Sequence, residues 1–114
     1  GKIEVKSKNS KRPFLHIKDA IEAIILVIKS RKEKVAGEIF NVGSDDQNYS
    51  IEEIAKKIIE VTKENGNLII HDEKDENSFT MDCRKIKKIL AFQIKHDLKY
   101  GINEIMVKLK QNKN

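Results

Sequence analysis

Arg12 and Asp19 bracket the stretch Arg12-Pro13-Phe14-Leu15-His16-Ile17-Lys18-Asp19, and their types suggest two kinds of work. A guanidinium fork matches the oxygens of a phosphate or carboxylate bidentately. An aspartate just ahead of an apolar run is a good helix cap. The groups usual in catalysis are scattered. His16, His71, His96 and the single Cys83 have neither C-x-x-C nor H-x-x-x-H spacing, which argues against a zinc site. Asp72, Glu73, Asp75 and Glu76 lack the D-x-D-x-D-G order of a calcium loop and read as a solvated acidic turn. There is no G-x-G-x-x-G, no P-loop and no G-x-S-x-G, and Tyr49 and Tyr100 are followed four residues on by Glu53 and Glu104 instead of lysine. The pattern is one of binding residues without a catalytic set.

The elements that must position these residues come from a chain of 114 residues, the size of one domain with one core. Its apolar content of 39% is concentrated in Ile, Leu and Val at regular spacing, which favours a folded domain. Lys+Arg 23 against Asp+Glu 18 gives a formal +5. Lysines fall on nearly every helical segment and alternate with glutamates, as in Glu52, Glu53, Lys56, Lys57 and Glu60, so the expectation is solvated faces and no nucleic-acid partner, the alternative being a freestanding basic interaction module that binds nucleic acid or protein. A lone cysteine asks for no oxidising compartment, and the run Ala23 to Ile28 is too short to span a bilayer, so a cytoplasmic location and no membrane contact are expected. The abrupt start, Gly1-Lys2 leading straight into Ile3-Glu4-Val5, is expected of a segment of a longer protein.

In chain order, Ile3–Val5 and a second strand from Arg12 or Pro13 to Ile17 flank the turn-prone Ser7-Lys8-Asn9-Ser10 and predict an N-terminal β-hairpin, with Pro13 at an edge. Asp19 with Glu22 forms a cap pattern ahead of the run Ala23 to Ile28, a helix apolar nearly all round that calls for cover on two sides. Glu38–Val42 reads as a short strand, and Gly43 permits close approach of a ligand or backbone. Ser50 and Glu53 form a capping box for an amphipathic helix carrying Ile51, Ile54, Ala55, Ile58 and Ile59, with Asn65-Gly66 as its stop. Leu68–His71 is a brief strand. Asp82 caps a helix with Ile86, Ile89 and Leu90, and Leu98 opens a last helix whose Gly101 reads as a close-packing point. The class is α/β, with short strands and about four helices in a single domain, 1–114.

The opening stretch, followed by an Ala/Ile-rich helix, resembles the R-x-F-x-H-V-x-D segment of extended short-chain dehydrogenases, the NAD-dependent nucleotide-sugar epimerases and dehydratases. Further segments are similar in the same order: Gly37-Glu38-Ile39-Phe40-Asn41-Val42-Gly43 to G-E-x-[FY]-N-[VI]-G, Ser50 to Ile59 to S-I-x-E-[IL]-A-x-x-I, Ser78-Phe79-Thr80-Met81-Asp82 with Lys85 to S-[FY]-x-x-D-x-x-K, and Leu98 to Ile105 to L-x-x-G-I-x-E. No one motif is specific, but five in order across the chain are.

The resemblance implies the C-terminal, substrate-binding part of a Rossmann-type epimerase. The NAD(P) site and the catalytic Tyr-x-x-x-Lys then lie upstream, this segment holds no cofactor and is inert alone, and the parent is a homodimer. It implies that Arg12 contacts the diphosphate of a nucleotide-diphosphate sugar and that Asn41 lies near the same group. Lys74 is the one cation in the loop where relatives place a second phosphate-binding arginine. Asn77, Ala91 and Ile94 depart from the family's usual arginine, glycine and proline, and the acidic loop beside Lys74 repels a diphosphate unless a cation compensates.

Overall fold

The computed structural model describes residues 1–63, 66–74 and 77–112. Asn65 of the expected helix stop, positions 75–76 of the acidic loop and the tail end at 113–114 lie outside these. Among the described residues four short strands, β1 (Lys2–Val5), β2 (Lys11–Pro13), β3 (Asn48–Ser50) and β4 (Asn67–Ile70), accompany five α-helices, α1 (Ile17–Lys29), α2 (Lys32–Val35), α3 (Ile51–Thr62), α4 (Arg84–Leu90) and α5 (Leu98–Gln111), and a 3-10 turn at Asp45–Gln47. The α/β class and the four principal helices match the sequence expectation; α2 adds a single turn.

The N-terminal β-hairpin does not form. β1 pairs in parallel with β4, Lys2 opposite Asn67 and Val5 opposite Ile70, while β2 pairs antiparallel with β3, Lys11 opposite Ser50 and Pro13 opposite Asn48. The residues between β1 and β2 close a tight turn through the Ser10 N–H to Ser7 carbonyl bond of 3.0 Å, yet the chain leaves it into a different sheet. Apolar alternation gives a strand its face but not its partner, and the partners here lie more than thirty residues away. The second strand also stops at Pro13, short of the expected Ile17, because α1 already starts there. Nor is Glu38–Val42 a strand: among the described residues no ladder partner reaches it, and Ile39 is 82% exposed. The polar triplet Asn48–Ser50 pairs instead.

The core gathers Ala23, Ile86, Leu90 and Phe92, with Leu26, Val27, Val35, Phe40, Val42, Ile89 and Ile94 packed around them. One side of α1 therefore sits on α4 and on the segments flanking 40–42 and 92–94. Its opposite stripe, Ile17, Ile21, Ile24 and Ile28, recurs at i, i+4, i+7 and i+11 and is exposed. Elsewhere α3 packs on α5 and on β1.

Caps explain where the helices begin. The Ser50–Glu53 capping box is complete, with bonds of 3.0 and 3.1 Å. α1 is capped not by Asp19 but by His16, whose Nδ1 accepts from the Lys18 N–H at 3.0 Å. Asp19 has another task. It is 1% exposed, and its carboxylate accepts from the Lys95 N–H (3.0 Å), the His96 N–H (3.0 Å) and His96 Nδ1 (2.8 Å), locking α1 to the turn that enters α5. Asp82 does receive the Arg84 N–H at 3.0 Å, one residue before the N-cap position. α3 ends on Lys63 in the left-handed conformation, earlier than the Asn65-Gly66 pair would have placed it.

Gly101 does not mark a close approach. A Cβ built there would meet His16 Cδ2 at 3.8 Å, an ordinary contact. Gly101→Ala should therefore raise stability in urea unfolding by about 1 kcal/mol, the helix-interior difference between the two residues. Burial alone would raise the Asp19 pKa, but the bonds from His96 and the Lys95 and His96 amides outweigh it and hold the carboxyl below its ordinary 3.8. Its contribution is thus present above about pH 4 and lost as the pH falls through the lowered value. Asp19→Asn, which cannot accept all three bonds, should cost about 3 kcal/mol or more at pH 7, and the gap to wild type should close on acidification below pH 4.

Candidate functional site

The segment 78–82 is an extended strap, and the expected ligand residues are arranged along it. Its first residue, Ser78, accepts from the Lys11 N–H at 2.9 Å, and the Phe79 N–H donates to the Lys11 carbonyl at 3.0 Å, so the strap lies beside β2. Asn48 in β3 then clamps Met81 from both sides: its Oδ1 accepts from the Met81 N–H at 2.9 Å and its Nδ2 donates to the Met81 carbonyl at 3.1 Å. At the far end Asn41 Nδ2 donates to the Asp82 carbonyl at 3.1 Å.

Arg12 is half-buried in the middle of β2, opposite Tyr49. Its guanidinium carbon stands 5.9 Å from the centre of the Phe79 ring, and Nη1 donates to the Lys11 carbonyl at 2.9 Å. Contacts with the ring and the carbonyl restrict the fork's orientation, and a guanidinium suits a planar or tetrahedral anion. Lys74 lines a neighbouring cleft of ≈ 330 Å³ with Asn9, Ser10, Asp72, Glu73 and Ser78. Arg12 and Lys74 thus approach adjoining positions of the strap, Phe79 and Ser78. Asn41 is held at the opposite end, in a cleft of ≈ 660 Å³ lined also by Asp82, Arg84, Lys85, Lys88 and Ile89.

Sequence reasoning missed the strap's role, because Phe79 and Asn48 carry no chemistry alone and matter only through what they hold. It also missed a polar cluster where α1 meets α5. His16 uses Nδ1 as an acceptor, so its proton is on Nε2 and is donated to Glu104 Oε1 at 2.9 Å. The His16 and His96 rings are 4.9 Å apart, and Tyr100 packs edge-on against both. Lys18 Nζ lies 3.1 Å from the Tyr100 hydroxyl and 3.4 Å from Glu104 Oε2. The Tyr100 and Glu104 bonds raise the Lys18 pKa, while the His16 bond, helped by Lys18, lowers that of Glu104. Arg84 holds Asp82 down to about 2. The Lys18–Glu104 and Arg84–Asp82 pairs each hold two opposite charges in place. Burial pushes the Cys83 thiol up, away from the nucleophilic thiolate. Among the described residues no group of three or more His, Cys, Asp or Glu could hold a metal ion.

Gly43 leaves room for a side chain, since a Cβ there would meet the buried Cys83 Sγ at 3.1 Å. No helix among the described residues is long and apolar enough to cross a membrane.

Comparison with known proteins finds similarity to one family. Residues 2–43, which contain Arg12 and Asn41, match the model of the NAD dependent epimerase/dehydratase family. The UDP-N-acetyl-alpha-D-glucosaminuronate decarboxylase of Bacillus cytotoxicus is 30% identical over 101 residues, 82% of this chain and 30% of that protein. UDP-D-apiose/UDP-D-xylose synthase 2 of Arabidopsis thaliana is 42% identical over 52 residues, 46% of this chain and 13% of that protein. The crystal structure of UDP-N-acetylglucosamine 4-epimerase from Bacillus cereus superimposes with a TM-score of 0.76 at 25% identity, covering 96% of this chain and 38% of that one. The chain therefore spans between about an eighth and two fifths of the length of these relatives. The ordered motifs, the family match over residues 2–43 and the Rossmann-type neighbours agree in what this chain is similar to, the NAD dependent epimerase/dehydratase family.

Proposed function

We propose that residues 1–114 form the substrate-recognition part of an NAD(P)-dependent nucleotide-sugar epimerase or dehydratase, a single C-terminal domain that works with an upstream dinucleotide-binding domain in the cytoplasm. The observation that carries this reading is the placement of Arg12. Its guanidinium is set between the Phe79 ring and the Lys11 carbonyl, on a strand inside the segment that matches the family. Guanidinium is the side chain best suited to a diphosphate, and the relatives include proteins named for UDP-sugars.

The division of labour follows from the residues. Arg12 binds the diphosphate, with Lys74 as the second cation. Asn41 acts from the other end of the strap by holding Asp82 in place. Asp72 and Glu73 flank Lys74 in its cleft and oppose a second strong phosphate contact, so Arg12 takes the larger share of the charge. Hydride and proton transfer belong to the upstream domain, because the residues here supply neither a dinucleotide cradle nor a Tyr-x-x-x-Lys pair.

Two outcomes test the proposal. In the longer protein, Arg12→Ala should raise the KM for the nucleotide sugar about tenfold or more with a much smaller change in kcat; an unchanged KM returns Arg12 to a purely structural role. The chain alone should neither retain NAD in equilibrium dialysis nor turn over a nucleotide sugar, and turnover by the chain alone would contradict the division of labour.

A further inference from the structure

Eight of the 23 Lys and Arg residues lie in two short segments, 29–38 and 82–88, which contain three carboxylates, Glu33, Glu38 and Asp82. The resulting +5 equals the formal charge of the whole chain, so the remaining residues balance to zero. Read along the sequence, cations are everywhere; read as net charge, they have one source. The fold brings the two segments together. Lys85 Nζ donates to Glu38 Oε2 at 2.7 Å and to the Ile39 carbonyl at 2.8 Å, tying α4 to the residues after α2. Ile89 lines both the cleft that holds Arg84, Lys85 and Lys88 and an adjoining cleft of ≈ 260 Å³ that holds Arg31 and Lys34. All eight cations are exposed.

We infer that this face, Arg31, Lys34, Arg84, Lys85 and Lys88 across two adjoining clefts, binds the phosphate backbone of duplex nucleic acid. Two clefts bordered by cations of one sign accommodate a row of phosphates better than a single small anion. Asp82 and Glu38 already engage Arg84 and Lys85, whereas Lys34 and Lys88 make no ion pair among the described residues. Neither cleft is lined by an aromatic ring on which an unpaired base could stack, which favours a duplex over a single strand. Of the apolar residues lining the clefts, Leu26, Ile89 and Leu90 are recessed and the small Ala91 is exposed.

The test is fluorescence anisotropy of a labelled duplex DNA of about 20 base pairs titrated with the 114-residue chain over a series of salt concentrations. Binding should weaken with a log–log salt slope of roughly −3 to −5, at about −0.9 per phosphate neutralised. The double variant Lys34→Glu/Lys88→Glu should lose about tenfold or more in affinity at low salt. Lys99→Glu/Lys110→Glu, which makes the same change in net charge on α5, should stay within about twofold. Equal losses in the two variants would show that affinity follows net charge and not this face, and would overturn the inference. So would tighter binding to oligo-dT or to phosphatidylserine vesicles than to the duplex.

Discussion

The Asp19 carboxylate is the contact on which the arrangement of this molecule depends. One side of α1 and the entry to α5 are separated by more than seventy residues, and they are joined by three hydrogen bonds onto a single buried anion. A buried carboxylate is costly unless every lone-pair direction in use is met by a donor, and two backbone amides with an imidazole meet that condition. Once Asp19 is satisfied, His96 is brought against His16 and Tyr100, and Asp97 is placed to accept from the Tyr100 N–H and cap α5. The start of α5 is secured a second time by Gln47, whose buried side chain accepts from the Leu98 N–H while its carbonyl accepts from the Phe14 N–H. The loop carrying Phe14 to His16 is thereby held from both ends, and with it β2 and Arg12.

The strap 78–82 turns that scaffold into a surface with a direction. It runs from the Lys74 cleft, past Arg12, to Asn41, fixed at each step by a bond to β2, β3 or the segment before Gly43. Few of its residues have chemistry of their own. Phe79 gives Arg12 a face to rest on, and Asn48 supplies both the donor and the acceptor that an unpaired strand residue would lack. The clefts beside it are open and lined mostly by polar side chains.

Much of this was legible in the sequence where the signal is local. The capping box of Ser50 and Glu53 and the apolar spacing of α3 need only residues within two turns, and both appear as read. The family motifs carried the location of Arg12 and Asn41 for the same reason. What failed was pairing over distance. Ile3–Val5 has a strand's alternation, but nothing in it names Asn67–Ile70 as its parallel partner. Asn48–Ser50 has no apolar pattern and pairs through its backbone, while Glu38–Val42 has the pattern and finds no ladder. Asp19 illustrates the ambiguity of a polar residue at a helix start: the same side chain can cap its own helix or reach across the fold, and local sequence cannot separate the two. The basic face was hidden because neighbouring charges, counted along the chain, conceal a balance that holds everywhere except in two segments.

The central claim is that Arg12 is a diphosphate ligand presented by a strap and braced by Phe79. The most direct measurement is a structure of the longer protein with a nucleotide sugar bound, read for the separation between the Arg12 guanidinium and the nearest phosphate oxygen. The account predicts a charge-assisted contact of about 2.7–2.9 Å with the Phe79 ring still beneath the guanidinium. A diphosphate bound without Arg12, with the guanidinium left on the Lys11 carbonyl, would contradict it.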